Sequence, residues 1–281
     1  MKKTMLFVLS ALALTSTATA ASVRDTICQD GVFNAGVKSD SAPFGFIDEN
    51  GTQVGFDVDI VKEITKDLTA YCKKPVRLVM KTVTGSNRIP FVQNGTVDLA
   101  AATATITYAR LDVVDFSNPY FVDGVRMLVP TGSEVKALRD LNGKAVGTVQ
   151  GTTGENIVKT QAKTAKVTSF QQYTDAFTAL QQGRIQAIVT DSTILLGLKV
   201  GAPDPKKWSV VGPFLSQEPY GLIMKQSDSP WRNFVNESLS RMASDGTYRK
   251  ITSKWFGSAS KYDLPGLKTT MTVPAVFPVR R

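Results

Sequence analysis

Histidine is absent from the 281 residues of this sequence, and cysteine occurs only twice, at Cys28 and Cys72. Without histidine the chain cannot form a Ser-His-Asp or Cys-His nucleophile pair or a histidine-ligated metal site. Two cysteines are also too few for a zinc ribbon. Lysine and arginine are scattered and form no stripe with aromatic residues, so we expect no nucleic-acid partner. We predict no catalytic residue, no bound metal and no cofactor.

Long apolar runs are missing except near the amino terminus. Residues 1–20 read MKKTMLFVLSALALTSTATA, in which two lysines precede an apolar run and small residues follow it. This order is typical of a secretory signal peptide with an A-x-A cleavage site, so we predict that the mature chain begins at Ala21. The apolar run is too short for a membrane anchor, and no lipobox precedes Cys28. We therefore expect a protein that is free in a bacterial periplasm.

The predicted location sets expectations for the thiols and the charge. In an oxidising compartment we expect Cys28 and Cys72 to form a disulfide, with two free buried thiols as the alternative. Loss of Lys2 and Lys3 with the signal peptide lowers the formal net charge from +9 to +7. A basic surface can attract acidic solutes through its long-range field, and it can equally serve solubility alone.

Strand and helix patterns alternate along the mature chain. Apolar strands at residues 32–37, 76–81 and 97–102 are separated by a helical spacing of apolar residues over residues 56–71 and by a shorter helix after Ser86. This order predicts an α/β fold in which a mostly parallel sheet has helices on both faces. Ligands of such sheets bind at the carboxyl ends of the strands.

The same alternation is repeated in the second half of the chain. An apolar strand at residues 124–130 is expected to cross into this second unit, and the chain is expected to return through residues 220–224. We therefore divide the mature chain into lobe 1, residues 21–126 plus 222–281, and lobe 2, residues 127–221. Two lobes that are joined by two crossing strands suggest a hinge with a cleft between them.

The stretch from Asp98 to Tyr120 combines groups that bind anions. It places hydroxyls at Thr103, Thr105 and Thr107 ahead of the guanidinium of Arg110. Thr107 can cap a helical turn, which leaves backbone N–H groups free, and the planar arginine fork fits a carboxylate. The alternative interpretation is a threonine-rich strand followed by a surface arginine.

This stretch and several other motifs resemble those of the periplasmic solute-binding proteins that deliver amino acids to ABC importers. Besides TATITYARLDVVDFS at residues 103–117, the matching motifs are APFGF, GFDVDIVKEI, VQGTTGE and GTYRKITSKWF. The glutamate/aspartate-binding subgroup is the most similar, because of NRIPFVQNGTVDL at residues 87–99 and WSVVGPFLSQEPYG at residues 208–221. The resemblance implies the two-lobed type II periplasmic-binding-protein fold, closure around an amino acid and an inner-membrane permease as partner. We also expect a monomer.

The resemblance further implies a set of residues that contact the α-carboxylate and the α-ammonium of the ligand. Arg110 with Thr105 is expected to bind the α-carboxylate, with help from Thr103 and, in the other lobe, from Thr153. Asp191 is expected to bind the ammonium group, and it can also cap the helix that follows it.

The side chain of the ligand is expected to meet two further cations, Lys38 and Arg88. Together they favour an acidic side chain, whereas Lys38 alone would be interpreted as a solvated lysine. Three positions depart from the resemblance. Thr103 replaces the Gly or Ser of many relatives, Tyr173 replaces a histidine contact of the closest subgroup, and Lys38 replaces an arginine fork. Each departure could change the preference among glutamate, aspartate and their amides.

We therefore expect a non-catalytic receptor that binds glutamate or aspartate. One alternative is a cyclohexadienyl dehydratase on the same fold, since its dicarboxylate substrates would suit the extra cations. That reaction needs a positioned general acid, for which Asp191 or Glu155 could serve. The other alternative is a sensor subunit that docks on a receptor.

Overall fold

The computed structural model describes residues 21–263. The predicted signal peptide, residues 1–20, lies outside the described residues and stays a prediction. Across the described range, no helix combines the length and the apolar character that crossing a membrane requires.

The first half of the described chain alternates helices and strands. Its elements are α1 (Val23–Asp30), β1 (Val32–Val37), β2 (Asp40–Ser41), β3 (Gly45–Ile47), β4 (Gln53–Val54), α2 (Phe56–Cys72), β5 (Arg77–Thr82), α3 (Arg88–Gln93), β6 (Leu99–Ala101), α4 (Tyr108–Leu111), β7 (Asp115–Phe116) and β8 (Phe121–Asp123).

The second half repeats the alternation and ends in two helices. Its elements are β9 (Val125–Pro130), a 3-10 turn (Leu138–Leu141), β10 (Ala145–Val149), α5 (Thr153–Gln161), β11 (Lys166–Phe170), α6 (Tyr173–Gln181), β12 (Ala187–Asp191), α7 (Ser192–Val200), a 3-10 turn (Pro205–Lys207), β13 (Trp208–Val211), β14 (Glu218–Tyr220), β15 (Ile223–Met224), α8 (Ser229–Ser244) and α9 (Thr247–Phe256).

Two five-stranded sheets organise these elements. The first has the strand order β5-β1-β6-β15-β7, and the second has the order β11-β10-β12-β9-β13. In each sheet the first three strands are parallel, the fourth is antiparallel to them, and the fifth is antiparallel to the fourth. Four of the five strands in each sheet therefore run in the same direction, so the sheets are mostly parallel, as predicted. The one strand of opposite direction, β15 in the first sheet and β9 in the second, comes directly after β14 and β8 in the chain.

Alternating side chains let each sheet bury both faces. On β6, Leu99 and Ala101 pack in the core formed with α2, whereas Ala100 packs with residues of α3 on the other face. On β12, Val189 packs with α5, and Ile188 packs with α6 and α7. Successive residues of a strand point to opposite faces, so a continuous apolar run is what a doubly covered strand needs.

A short antiparallel pair links the two sheets. β8 pairs with β14, so that Phe121 lies opposite Tyr220 and Asp123 lies opposite Glu218. The strand at residues 124–130, which was expected to cross, instead lies within the second sheet as β9 and pairs there with β12 and β13. Its apolar residues reflect burial between two neighbours rather than a connecting role. The residue limits of the two lobes stay a prediction.

An aromatic cluster attaches the linking strands to the first sheet. The ring of Phe44 is fully buried and packs edge-on against Phe121, with 4.8 Å between the ring centroids. Tyr220 stacks on Phe121 with its centroid 5.6 Å away, and Phe256 of α9 contacts both Phe44 and Phe121. The two crossings are therefore part of one hydrophobic core and not a loose tether.

The predicted disulfide between Cys28 and Cys72 is confirmed. It joins α1 to the last residue of α2, with 5.1 Å between the two Cα atoms. The bridge closes a loop with a sequence separation of 44 residues. A closed loop of that length restricts the unfolded chain and so favours the folded state.

We expect the Cys28→Ser/Cys72→Ser double variant to unfold more easily than the wild type, by up to about 4 kcal/mol in the chain-entropy model. Chemical denaturation in the absence of reductant measures this difference. The wild-type protein, isolated without reductant, should have no alkylatable thiol. Two alkylated cysteines in the native wild type would contradict the bridge.

Candidate functional site

Most of the predicted binding residues lie where strands of the two sheets end and face each other. Thr103 and Thr105 follow β6, Asp191 ends β12, and Thr153 begins α5 after β10. Gly151 lies between the lobes at φ +78°, and a Cβ there would come within 2.6 Å of the Gly85 carbonyl oxygen. The glycine therefore allows the close approach of the two lobes.

Arg110 connects the two sides of this cleft. It lies on the single turn α4, where the Thr107 hydroxyl accepts a hydrogen bond from the Arg110 backbone N–H at 3.3 Å. Its Nη1 donates to the Thr105 carbonyl at 2.7 Å, and its Nη2 donates to the Gly151 carbonyl at 2.9 Å. Burial, assisted by the nearby Arg88 charge, lowers the pKa of Arg110 to about 10. The guanidinium is therefore still charged at neutral pH.

Glu218 is a residue of this site that the sequence analysis missed. It is only 2% exposed, and its Oε2 accepts hydrogen bonds from the hydroxyls of Thr105 and Thr153, the latter at 2.8 Å. Its Oε1 accepts a hydrogen bond from the Ser216 hydroxyl at 2.5 Å. The signal was present in the SQEPY motif, where a lone carboxylate follows a serine just before the predicted return strand at residues 220–224.

The bonds to Glu218 change what the two threonines can offer a ligand. A hydroxyl has one proton to donate and two lone pairs that accept. Because Thr105 and Thr153 donate their protons to Glu218, their oxygens are left as acceptors. They match an ammonium group better than the carboxylate that was expected for them.

Asp191 is buried at the carboxyl end of β12 and does not cap the next helix. Asp123 of the linking strand takes that role, accepting hydrogen bonds from the Ser192 hydroxyl at 2.6 Å and from the Thr193 N–H at 3.0 Å. Asp191 Oδ1 has no hydrogen-bond partner among residues 21–263. Burial, and then the charges of Asp123 and Glu218, raise the pKa of Asp191 well above its ordinary value. A cationic donor next to Asp191 would supply the missing hydrogen-bond partner and would lower the raised pKa.

Lys38 is buried and not solvated. It is 2% exposed, and its Nζ lies 2.9 Å from Asp40 Oδ1 and 5.4 Å from the centre of the Tyr173 ring. Asp40 Oδ2 in turn accepts a hydrogen bond from the Tyr173 backbone N–H at 2.8 Å. Burial lowers the pKa of Lys38, and the neighbouring Asp40 charge opposes that shift. The charge of this cation is therefore already paired within the protein.

Arg88 is also buried, at 3% exposed, and supports the loop that follows β6. Its Nη1 donates to the Ala102 carbonyl at 2.5 Å and to the Thr103 carbonyl at 3.0 Å. Its Nη2 lies 3.5 Å from the Gly151 carbonyl oxygen. Within the described chain Arg88 Nε has no partner. A buried N–H of a charged group without an acceptor calls for a further partner.

The two remaining predicted residues hold positions around these charges. Thr103 has φ 49°, in the left-handed region that β-branched residues rarely adopt, and its hydroxyl donates to the Ala102 carbonyl at 2.8 Å. The Tyr173 hydroxyl accepts a hydrogen bond from Thr190 at 3.2 Å, next to Asp191. Asp40 thus joins Lys38 to Tyr173, Gly151 joins Arg88 to Arg110, and Glu218 joins Thr105 to Thr153. Tyr173 and Asp191 also interact electrostatically with Arg88. Contact of each residue with a ligand stays a prediction.

Asp57, at the start of α2, also supports the loop that follows β6. It is fully buried, and it accepts hydrogen bonds from the Tyr120 hydroxyl at 2.8 Å and from the Thr103 N–H at 3.3 Å. Burial raises the pKa of Asp57 to about 7, although these two hydrogen bonds and Arg88 oppose the shift. The residue thus holds the strained Thr103 in place.

Comparison with known proteins identifies the family. The family model of the bacterial extracellular solute-binding proteins, family 3, matches residues 33–258. The chain belongs to this family. The predicted family and its two-lobed α/β fold, that of the type II periplasmic binding proteins, are thereby confirmed.

In the described part of the chain, no cluster of three or more His, Cys, Asp or Glu residues could hold a metal ion.

Among its relatives the chain is 40% identical to the ABC transporter glutamine-binding protein GlnH of Bacillus subtilis, over 78% of this chain and 79% of the relative. It is 31% identical to a glutamate/aspartate import solute-binding protein of Salmonella typhimurium, over 84% of this chain and 80% of the relative. A solved structure of an ancestral arginine-binding protein bound to glutamine is 39% identical. It has a TM-score of 0.76 and covers 81% of this chain and 99% of its own.

We expect the stability of the ligand-free protein to depend on the ionisation of Asp57. Since the folded-state pKa of about 7 lies above the ordinary value of 3.8, folding favours the protonated form. The contribution is present at low pH and is lost as the pH rises through 7. Between pH 5 and pH 8 the loss of this contribution should lower the free energy of unfolding by about 3 kcal/mol.

Urea denaturation at pH 5 and pH 8, with the wild type and with Asp57→Asn, measures this contribution. The asparagine variant should lose less stability over this range than the wild type. An equal loss in both proteins would show that Asp57 titrates normally.

Proposed function

We propose that this protein is the solute-binding receptor of an ABC amino-acid importer, that it captures glutamate or aspartate between its lobes, and that it delivers the ligand to the membrane permease. It is exported to the periplasm by its signal peptide, acts there as a monomer and is not an enzyme. Family membership and the relatives that bind amino acids support the receptor role.

Each five-stranded sheet with its helices forms one lobe, and the β8–β14 link forms the hinge. Contacts between the lobes support a closed arrangement. Besides Arg110 with Gly151, the Ser86 hydroxyl donates to the Gln171 side chain at 3.2 Å. Opening and closing around a ligand requires such discrete, breakable contacts.

The observation that carries the ligand assignment is that Arg88 Nε and Asp191 Oδ1 are two of the buried polar atoms without a hydrogen-bond partner in the described chain. Arg88 Nε is a guanidinium donor, and Asp191 Oδ1 is a carboxyl oxygen that can accept. A zwitterion satisfies both, because its ammonium group can donate to Asp191 and a carboxylate can accept from Arg88. Arg110 binds the α-carboxylate, the oxygens of Thr105 and Thr153 accept from the ammonium group, and Arg88 with Lys38 meets the side-chain carboxylate.

Glutamine is the second candidate ligand. The Lys38 charge is paired with Asp40, so a side-chain carboxylate gains less from this cation than from an unpaired one. The 40% identity to a glutamine-binding protein points in the same direction. The acidic ligand is preferred because Arg88 Nε has no acceptor within the described chain. A carboxylate forms a stronger hydrogen bond with a guanidinium N–H than the neutral amide of glutamine does.

We expect glutamate or aspartate to bind about ten- to a hundredfold more tightly than glutamine or asparagine, since an amide forfeits one charge-assisted hydrogen bond of about 1.5–3 kcal/mol. Isothermal titration calorimetry with these four L-amino acids measures the order. Tighter binding of the amides would assign the site to glutamine, and conversion of prephenate or arogenate to an aromatic product would reveal a dehydratase.

We expect Arg110→Ala to weaken ligand binding roughly a hundredfold to a few thousandfold. The ligand carboxylate would then be buried without its partner, which costs about 3–5 kcal/mol. Arg139→Ala is the matched control, because the Arg139 side chain is 86% exposed in lobe 2. Calorimetry gives the affinities, and melting curves with and without ligand separate binding from folding. Near-native affinity of Arg110→Ala would place the carboxylate site elsewhere.

A further inference from the structure

Glu218 contacts both lobes from the linking strand β14. Its Oε2 accepts from Thr105, which follows a strand of the first sheet, and from Thr153, which begins a helix packed on the second sheet. The two threonines lie 113 and 65 residues from Glu218 in the chain. A single carboxylate oxygen therefore joins the hinge to both walls of the cleft.

This three-way contact can exist only while the lobes are together. Hydrogen bonds between oxygens have heavy-atom distances of about 2.5–3.0 Å and weaken steeply beyond that range. A hinge motion that separates Thr105 from Thr153 by even ~2 Å must break at least one of the two bonds. The bridge is thus specific to the closed arrangement of the protein.

We propose that Glu218 is a closure latch, a positioning residue that holds the closed lobes together through Thr105 and Thr153 and slows release of the ligand. The latch rests on the proposed function, because it needs a ligand that is enclosed between the lobes. It also orients the two hydroxyl oxygens, which keep lone pairs for the ammonium group once their protons are donated to Glu218.

Simple electrostatics gives Glu218 two opposing effects on affinity. Its negative charge lies near Arg110 and repels a ligand carboxylate bound there, whereas it attracts the ammonium group that is assigned to the neighbouring threonine oxygens. Neither effect of the charge depends on a bridge between the lobes. The release rates and the coupling between Glu218 and Thr153 therefore separate a latch from electrostatics alone.

The test compares the release rate of L-glutamate from the wild type with that from Glu218→Ala and Glu218→Gln, by stopped-flow fluorescence, with calorimetry for affinity. We expect Glu218→Ala to bind roughly ten- to a hundredfold more weakly, almost entirely through faster release. Glu218→Gln should lose less, because its amide oxygen can still accept both hydroxyl bonds. Glu134→Ala, which removes an exposed carboxylate beyond the far end of β9, should behave as the wild type.

A double-mutant cycle identifies the path of the effect. Thr153→Val alone should speed release, and it should add little when combined with Glu218→Ala, since both changes break the same bridge. Thr105→Val should behave likewise. Additive effects, or a Glu218→Ala variant with unchanged or tighter affinity, would overturn the latch.

The outcomes for the latch and for the proposed function are distinguishable. If the wild type binds none of glutamate, aspartate, glutamine and asparagine, the proposed function fails. If the wild type binds and Glu218→Ala releases the ligand at the wild-type rate, only the latch fails. Ligand-free melting curves show whether each variant folds. Should Glu218→Ala not fold, the Thr153→Val and Glu218→Gln variants decide: release at the wild-type rate from Thr153→Val would overturn the latch.

Discussion

Charge that is buried where the two sheets meet is the constraint on which the rest of this structure depends. Lys38, Arg88, Asp191 and Glu218 have all lost most of their contact with water. A buried charge is tolerated only where other groups pair with it or hydrogen-bond to it. In this protein several of those partners come from the other lobe or from the link, so the position of the lobes and the pairing of the charges depend on each other.

The link between the lobes takes part in the site. Its two strands place Asp123 directly opposite Glu218, and these two carboxylates have different partners. Asp123 caps α7 in lobe 2, whereas Glu218 holds hydroxyls from both lobes. Packing of Phe121 and Tyr220 in the core of the first sheet holds the strands that carry them. In the proposed function, this link couples the position of the lobes to the proposed binding residues without a long pathway.

Several features of the site could be predicted from the sequence because they depend on neighbours in the chain. The hydroxyls at Thr103 and Thr105 follow an apolar strand, and a helical turn that Thr107 caps carries Arg110 back to Thr105. Glycine at position 151 likewise marks a turn that a larger residue could not make beside Gly85. These patterns span only a few residues, so local stereochemistry suffices to recognise them.

Other features could not be predicted, because their partners are distant in the chain or because they depend on small differences in geometry. Lys38 was expected to pair with the side chain of the ligand, yet its charge is paired with Asp40, two residues away. Asp191 was a possible helix cap until Asp123 took that role from the linking strand. Neither outcome follows from residue type or spacing, since each depends on how a strand end is turned by the packing around it.

The sequence by itself determined the α/β class, the succession of strands and helices, the disulfide and the edge at which polar groups gather. It could do so because apolar periodicity, capping residues and redox chemistry act within short segments or through a single pair of residues. Only the tertiary structure decided which hydroxyl donates to which carboxylate and which charges already have partners. A hydrogen bond requires its atoms to be placed within a few tenths of an ångström. For residues that lie 65 to 113 positions apart, the folded arrangement alone provides that placement.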